Sequence, residues 1–384
     1  SIYNQDFFSL SPVNRGIAKI HYKKGKGISD KIEKKALVNF IGRKTDITDI
    51  IRKTLDARDK ILTIKGSGGI GKTATVKKIA YELYDRGIYK DGITFIDCEY
   101  IKDYRTFERR IAKTFELQDA INFKDYLTYN GEKLDALIIL DNLEPLLYLE
   151  DINQMKNLIT FISDYKKVIV TSREWIGFEF EEKHELRGFT TEEALKLFKK
   201  LYPIKLSKEE QKILKEDILE DLLNNNPLAI KIVTQNIPKS ISMQALKKEL
   251  ISDFFNATNL GYEEIYDNKS DENIERSTSL YQSIYYSYIR LSAREQLVFE
   301  ILSLFPNGIH MEYFKAFFST EEFRTDIYRV TNKELRSLEN KSIIEINGGF
   351  ISLQSIIGKF ADFHLNKRTE IEKNKYYKRA FSFN

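Results

Sequence analysis

Eight consecutive residues, Gly66-Ser67-Gly68-Gly69-Ile70-Gly71-Lys72-Thr73, fit the pattern G-x-x-x-x-G-K-[ST] at every fixed position. Glycines there let successive backbone N–H groups turn toward one anion, and a helix starting behind them adds the positive end of its dipole. In such a loop the lysine reaches the β- and γ-phosphates of a nucleoside triphosphate, and the threonine hydroxyl goes to magnesium. Gly68, Gly69, Ile70, Gly71, Lys72, Thr73 and Ala74 are therefore candidate phosphate contacts, with Thr73 a candidate Mg2+ ligand. A second piece stands at "LDALIILDNLEPL". Its apolar run ends in Asp141, which would set a carboxylate beside the same metal. Asn142 cannot act as a base and Glu144 is the next acid, a spacing that points to slow hydrolysis. A third piece, "KVIVTSRE", ends in Arg173, whose planar fork matches phosphate oxygens and suits it to sense a γ-phosphate. Lys72, Asp141 and Arg173 form the candidate catalytic set.

These residues need a scaffold, and the surrounding pattern predicts one. Short apolar runs at 61–65, 93–98, 136–141 and 167–172, with a weaker one at 183–189, alternate with helical stretches such as "TATVKKIAYELYDRG". That alternation predicts a parallel sheet covered on both faces, with its first strand feeding the glycine loop. Before it, "NFIGRKTDITDIIRKTL" reads as a short extended segment and a helix capped by Thr45 and Asp46. After Phe189 the strands stop. "TTEEALKLFKKL" and "PLAIKIVTQNI" begin with a Thr cap and a helix-start Pro227 respectively. Further helices follow, and then "IIEINGGFISL" reads as a hairpin about Asn347-Gly348-Gly349, which together suggest a winged helix. The expected organisation is an arm over 1–37, a P-loop domain over 38–189 and a helical domain over 190–257. A flexible connection over 258–278, a winged helix over 279–366 and a basic polar tail over 367–384 complete it.

Composition excludes several other classes. Of 384 residues, 42% are hydrophobic and 12% aromatic, enough for substantial cores and too many for general disorder. Cys98 is the only cysteine, so an intrachain disulfide or thiolate metal cluster is excluded, and a reducing, cytoplasmic setting is expected. His21, His184, His310 and His364 show no ligand spacing. The net charge of +4, from 61 basic and 57 acidic residues, permits nucleic-acid contact without arguing for it. No run approaches the ~20 apolar residues of a membrane span. A first residue of Ser rather than Met suggests a segment of a longer protein.

Taken in order, "FIGRKTDI", "GSGGIGKT", "LIILDNLE", "KVIVTSRE", "NNPLAIKIV" and the winged-helix pattern resemble the signal-transducing (STAND) ATPases of the NB-ARC type, over residues 38 to 366. The resemblance implies an α/β P-loop NTPase domain with a five-stranded parallel sheet, followed by a small helical domain and a winged helix. It implies that Phe40, Ile41 and Arg43 sit at the adenine side and that Pro227 closes over the base. In this family a Met-His-Asp motif of the winged helix reads the β-phosphate of ADP. Leu353, Gln354 and Ser355 stand there in this chain, so Gln354 would offer an amide where the family has an imidazole. The family holds ADP in a closed monomer, exchanges it for ATP and oligomerises, with an effector before this core and a sensor after it.

Two other classes compete. A DNA-binding regulator or origin-recognition AAA+ ATPase also joins an ATPase to a winged helix, and predicts a basic recognition helix. The candidate, "TNKELRSLENKS", sets Lys333, Arg336 and Lys341 against Glu334 and Glu339, a near balance that favours packing within the molecule. The basic tail keeps nucleic acid as a lesser alternative. A fast motor would want a clear water-orienting acid and an arginine finger from a neighbouring subunit. The favoured reading is a switch: the nucleotide is held more than burned.

Overall fold

A computed structural model describes residues 32, 40–56, 60–99, 101–114, 123–130, 135–203, 205–238, 241–258, 271–319 and 330–382. The N-terminal arm expected over 1–37 lies outside them apart from Ile32. The chain forms two compact units, the first ending at Arg187 and the second beginning at Gly188, with Gly68–Ile70 counted in the second.

In the first unit, helix α1 (Lys44–Leu55) precedes β1 (Ile61–Lys65), α2 (Lys72–Asp85), β2 (Gly92–Asp97), α3 (Tyr104–Thr114) and α4 (Phe123–Asn130). Then come β3 (Ala136–Asp141), a 3-10 turn (Glu144–Tyr148), α5 (Ile152–Ser163), β4 (Lys167–Ser172) and β5 (Glu181–Glu185). The strands form one sheet in the order β2-β3-β4-β1-β5, every pair parallel. Residues two apart on a strand share a face. Ile138 and Leu140 of β3 and Val168 and Val170 of β4 thus join Phe107 and Ile111 of α3 and Met155 and Leu158 of α5 in one apolar cluster. The alternating Leu137, Ile139 and Ile169 are equally buried but outside that cluster, so β3 and β4 read as continuous apolar runs. β5 is polar because it lies at the edge and spans 181–185, two residues earlier than the apolar pattern suggested.

Helix α1 is pinned to β5 by His184, whose Nε2 lies 3.0 Å from Asp46 Oδ1 and whose Nδ1 lies 3.1 Å from Asp49 Oδ2. Burial opposes ionisation of Asp46, but the His184 hydrogen bond and Arg43 outweigh it and hold the carboxyl below its usual range. The cap expected from Thr45 and Asp46 is corrected: Arg43 occupies that position at φ 61°, without a side-chain cap, and Asp46 lies in the first turn. A carboxylate in the first turn still opposes the positive helix end.

The second unit begins with α6 (Thr191–Leu201), whose Thr190 and Glu193 form a capping box. It continues through α7 (Lys208–Ile213), a π-helical stretch (Leu214–Leu222), α8 (Pro227–Asn236), α9 (Met243–Thr258) and α10 (Asp271–Tyr288). After α11 (Ala293–Leu302) come β6 (Ile309–His310), α12 (Met311–Phe317), α13 (Asn332–Asn340), β7 (Glu345–Asn347), β8 (Phe350–Ser352), α14 (Ser355–Asn366) and α15 (Glu370–Phe381). The three short strands form an antiparallel sheet, β6-β8-β7. Its hairpin turns at Gly348 and Gly349, both at positive φ, which is what a two-residue loop of this hand requires. One apolar cluster, including Phe198, Leu219, Ile230, Tyr281, Phe299 and Phe360, runs through the unit.

Of the connection expected over 258–278, residues 259–270 lie outside the described residues, and 271–278 belong to α10, which Leu280, Tyr281 and Ile284 anchor in the core. Within the basic polar tail expected over 367–384, Glu370–Phe381 forms α15, started by a capping box of Thr369 and Glu372 and held by buried Tyr376 and Ala380.

Candidate nucleotide site

β1 delivers the chain into the loop and α2 carries it away. Gly71 sits at φ 97°, a left-handed conformation that glycine adopts without strain, and Lys72 opens the helix. The Lys72 side chain is buried and donates to Gly66 O at 2.8 Å and Ser67 O at 3.2 Å. Burial pushes its pKa down to about 8, helped by Arg173 and resisted by Glu144, Asp141 and Glu99. A buried ammonium held only by neutral carbonyls still lacks a counter-charge at hydrogen-bonding distance, and an anion would relieve that cost.

Next along α2, the Thr73 hydroxyl donates to Asp141 Oδ2 at 2.8 Å. The other carboxylate oxygen accepts from the Thr171 hydroxyl at 2.5 Å. Burial raises Asp141 to about pKa 6 despite both bonds. Lewis-acidic magnesium is held by few protein oxygens and several phosphate and water oxygens. A buried carboxylate touching a threonine hydroxyl fits that donor set, so Asp141 and Thr73 would hold the ion, which would neutralise phosphate charge. Among the described residues no group of three or more His, Cys, Asp or Glu could hold a metal by itself.

The sheet register explains how distant residues meet. Leu140 pairs with Val170, so Asp141 emerges beside Thr171 at the ends of β3 and β4. Asn142 then turns at φ 56°, and its N–H donates to Thr171 Oγ1 at 3.0 Å while Leu143 N–H donates to Thr171 O at 2.9 Å. This carries Glu144 to Arg173. Glu144 Oε1 lies 3.0 Å from Arg173 Nε, and Oε2 accepts from the Arg173 backbone N–H at 3.3 Å. The structure therefore brings together Lys72, Thr73, Asp141 and Arg173, with Ala74 exposed in the first turn of α2.

Other predicted residues have local roles. Phe40 and Ile41 are half-buried ahead of α1, and buried Arg43 reaches Asp46 at 3.3 Å. In the second unit Pro227 is the first residue of α8, and Gln354 Nε2 donates to Glu345 Oε1 at 2.7 Å. Gly68 and Gly69 also lie in this unit: Gly68 O accepts from Asn226 Nδ2 at 3.1 Å, and a Cβ on Gly69 would meet Leu228 Cβ and Leu280 Cδ2 at 2.8 Å. Ile70 is buried there too. Sequence reading missed Thr171, the engagement of Glu144 and the double role of Asn226. Only the last had a signal, an Asn immediately before a helix-start proline.

Residues 43–227 match the model of the NB-ARC domain family. No curated protein matches the sequence. Among solved structures, the chain is similar to a Signal Transduction ATPase with Numerous Domains (STAND) protein with a tetratricopeptide repeat sensor from Pyrococcus horikoshii. That match has a TM-score of 0.53 and 18% identity over 90% of this chain and 48% of the other. The chain thus spans about half the length of that relative. A Walker-type ATPase of Pyrococcus abyssi matches at a TM-score of 0.41 and 11% identity, covering 84% of this chain and 96% of that one. AMPPCP-bound DnaA from Aquifex aeolicus matches at 0.40 and 15%, covering 91% and 99%. The fold, the phosphate loop and the family match together define a P-loop ATPase core. Its residues 43–227 carry the NB-ARC domain match, and the fold around them is shared with the STAND protein.

Proposed function

We propose that this chain is the switch core of a longer signalling protein, one that holds ADP at rest, exchanges it for ATP with Mg2+, and oligomerises in the ATP state. The observation that carries this reading is the buried Lys72 ammonium, held by the Gly66 and Ser67 carbonyls beside the Thr73–Asp141 pair. Such a site is built for a polyanion and a small hard cation. Hydrolysis is slow, because Asn142 directly after Asp141 offers no proton acceptor and Glu144 is held by Arg173 until that guanidinium moves. A helical domain and a winged helix make up the second unit. Gln354 takes the place of the family's ADP-reading histidine, and its amide would first have to leave Glu345. By resemblance to the family we assign the whole protein to cytoplasmic defence signalling, with an effector and a sensor on either side.

The DNA-binding alternative is weaker on one specific ground. On α13, the candidate recognition helix, Glu334 pairs with Arg294, and Lys341, just past its end, pairs with Glu295, so its charges are partly spent within the unit. Light scattering after size exclusion tests the switch. The expected result is a monomer with ADP and a larger species with a non-hydrolysable ATP analogue and Mg2+, with Lys72→Ala monomeric in both. Equal masses in both nucleotides would overturn oligomeric signalling.

A further inference from the structure

The Glu144–Arg173 pair has a shape that plain surface ion pairs lack. One Glu144 oxygen takes the guanidinium Nε and the other takes the backbone N–H of the same residue, so Arg173 holds the carboxylate at two points. Both side chains are largely shielded, at 13% and 22% exposure. Their positions are fixed by the strand ends: Arg173 directly follows β4, and Glu144 starts the 3-10 turn reached through the left-handed Asn142. The turn is stapled to β4 by the Asn142 and Leu143 N–H groups. The position directly after Asp141 is an amide, leaving Glu144 the next carboxylate along the chain.

We propose that Glu144 is the proton acceptor for ATP hydrolysis, held off by Arg173 until the γ-phosphate of ATP draws the guanidinium away. This rests on the switch reading above and adds to it the link between nucleotide identity and turnover. With ADP there is no γ-phosphate to compete, and Arg173 keeps Glu144. With ATP the guanidinium exchanges a carboxylate for phosphate oxygens, which its fork fits equally well. The released carboxylate orients a water. The water oxygen bonds to the γ-phosphorus as the bond to the β–γ bridging oxygen breaks, and that electron pair leaves on ADP. Glu144 takes the water proton and returns it to solvent or to the departing phosphate. The arrangement also makes Glu144 a competitor of ATP for Arg173, so it lowers the preference for ATP over ADP.

Single-turnover hydrolysis of ATP by the full chain, with fluorescent ATP and ADP binding measured alongside, tests this. Glu144→Gln keeps the shape and removes the proton acceptor. It should slow hydrolysis by about 100-fold or more, while raising the ATP-over-ADP preference by roughly tenfold as Arg173 is released. Asn142→Asp added to that variant should recover hydrolysis, since aspartate tolerates the left-handed turn. If Glu144→Gln does not fold, Glu144→Asp serves, with slower hydrolysis and a raised ATP preference expected. A merely structural pair would instead weaken both nucleotides and gain nothing from Asn142→Asp. Hydrolysis at the wild-type rate in Glu144→Gln, an unchanged or lowered ATP preference, or a wild type that binds ATP without turning it over would each overturn the inference and leave the switch standing. A wild type that binds neither nucleotide would sink the switch reading itself.

Discussion

Lys72 and Asp141 both bear the electrostatic cost of burial in the site. Burial of the Lys72 ammonium pushes its pKa down from the ordinary lysine range to about 8, with Glu144, Arg173, Asp141 and Glu99 the charged groups around it. A depressed lysine is neutral above that pH in the free protein, and bound phosphates favour its charged form. Nucleotide binding above pH 8 must therefore take up a proton. In magnesium-free buffer, affinity for ADP should weaken by up to about tenfold per pH unit as pH rises past 8. Calorimetry in buffers of different ionisation enthalpy should show that uptake, and a flat profile would count against Lys72 as the phosphate ligand. Lys72 and Thr73 were legible in the sequence because the loop is one contiguous stretch whose spacing is itself the chemistry. Thr171 was not, because its bond to Asp141 spans 30 positions and exists only through the β3–β4 register. The same holds for Glu144 and Arg173, 29 positions apart.

At the scale of elements, start signals decide which segments are helices. α8 begins at Asn226, whose Oδ1 accepts from Leu228 and Ala229 N–H at 3.0 and 3.2 Å, while its amide nitrogen donates to Gly68 O. Asn226→Ala removes the cap and leaves a buried carbonyl without that donor. The expected loss is about 1–2 kcal/mol for the cap alone, read as a lower urea midpoint at unchanged slope. An unchanged midpoint would mean that Pro227 by itself fixes the helix start. The central strands were legible because double-sided burial writes them as apolar runs. β5 was less so, since an edge strand with polar residues carries little pattern. The N-terminal turns of α10 and the whole of α15 carried little apolar pattern, because their composition is polar and charged. In α15 the signal existed: Thr369 and Glu372 are spaced as a capping box, and Tyr376 and Ala380 are four apart on one face.

For the whole molecule, the first unit supplies a parallel sheet whose strand ends gather Lys72, Asp141, Glu144, Thr171 and Arg173, and the second supplies a helical core with a small antiparallel sheet. No helix among the described residues is long and apolar enough to cross a membrane. A nucleotide retained as a signal should stay bound through purification. The direct measurement is to denature the purified chain and identify released nucleotide by ion-exchange chromatography, with Lys72→Ala alongside. Stoichiometric ADP is expected from the wild type and none from the variant. An empty wild-type site that turns over added ATP rapidly would contradict it, and would make the protein a cycling ATPase.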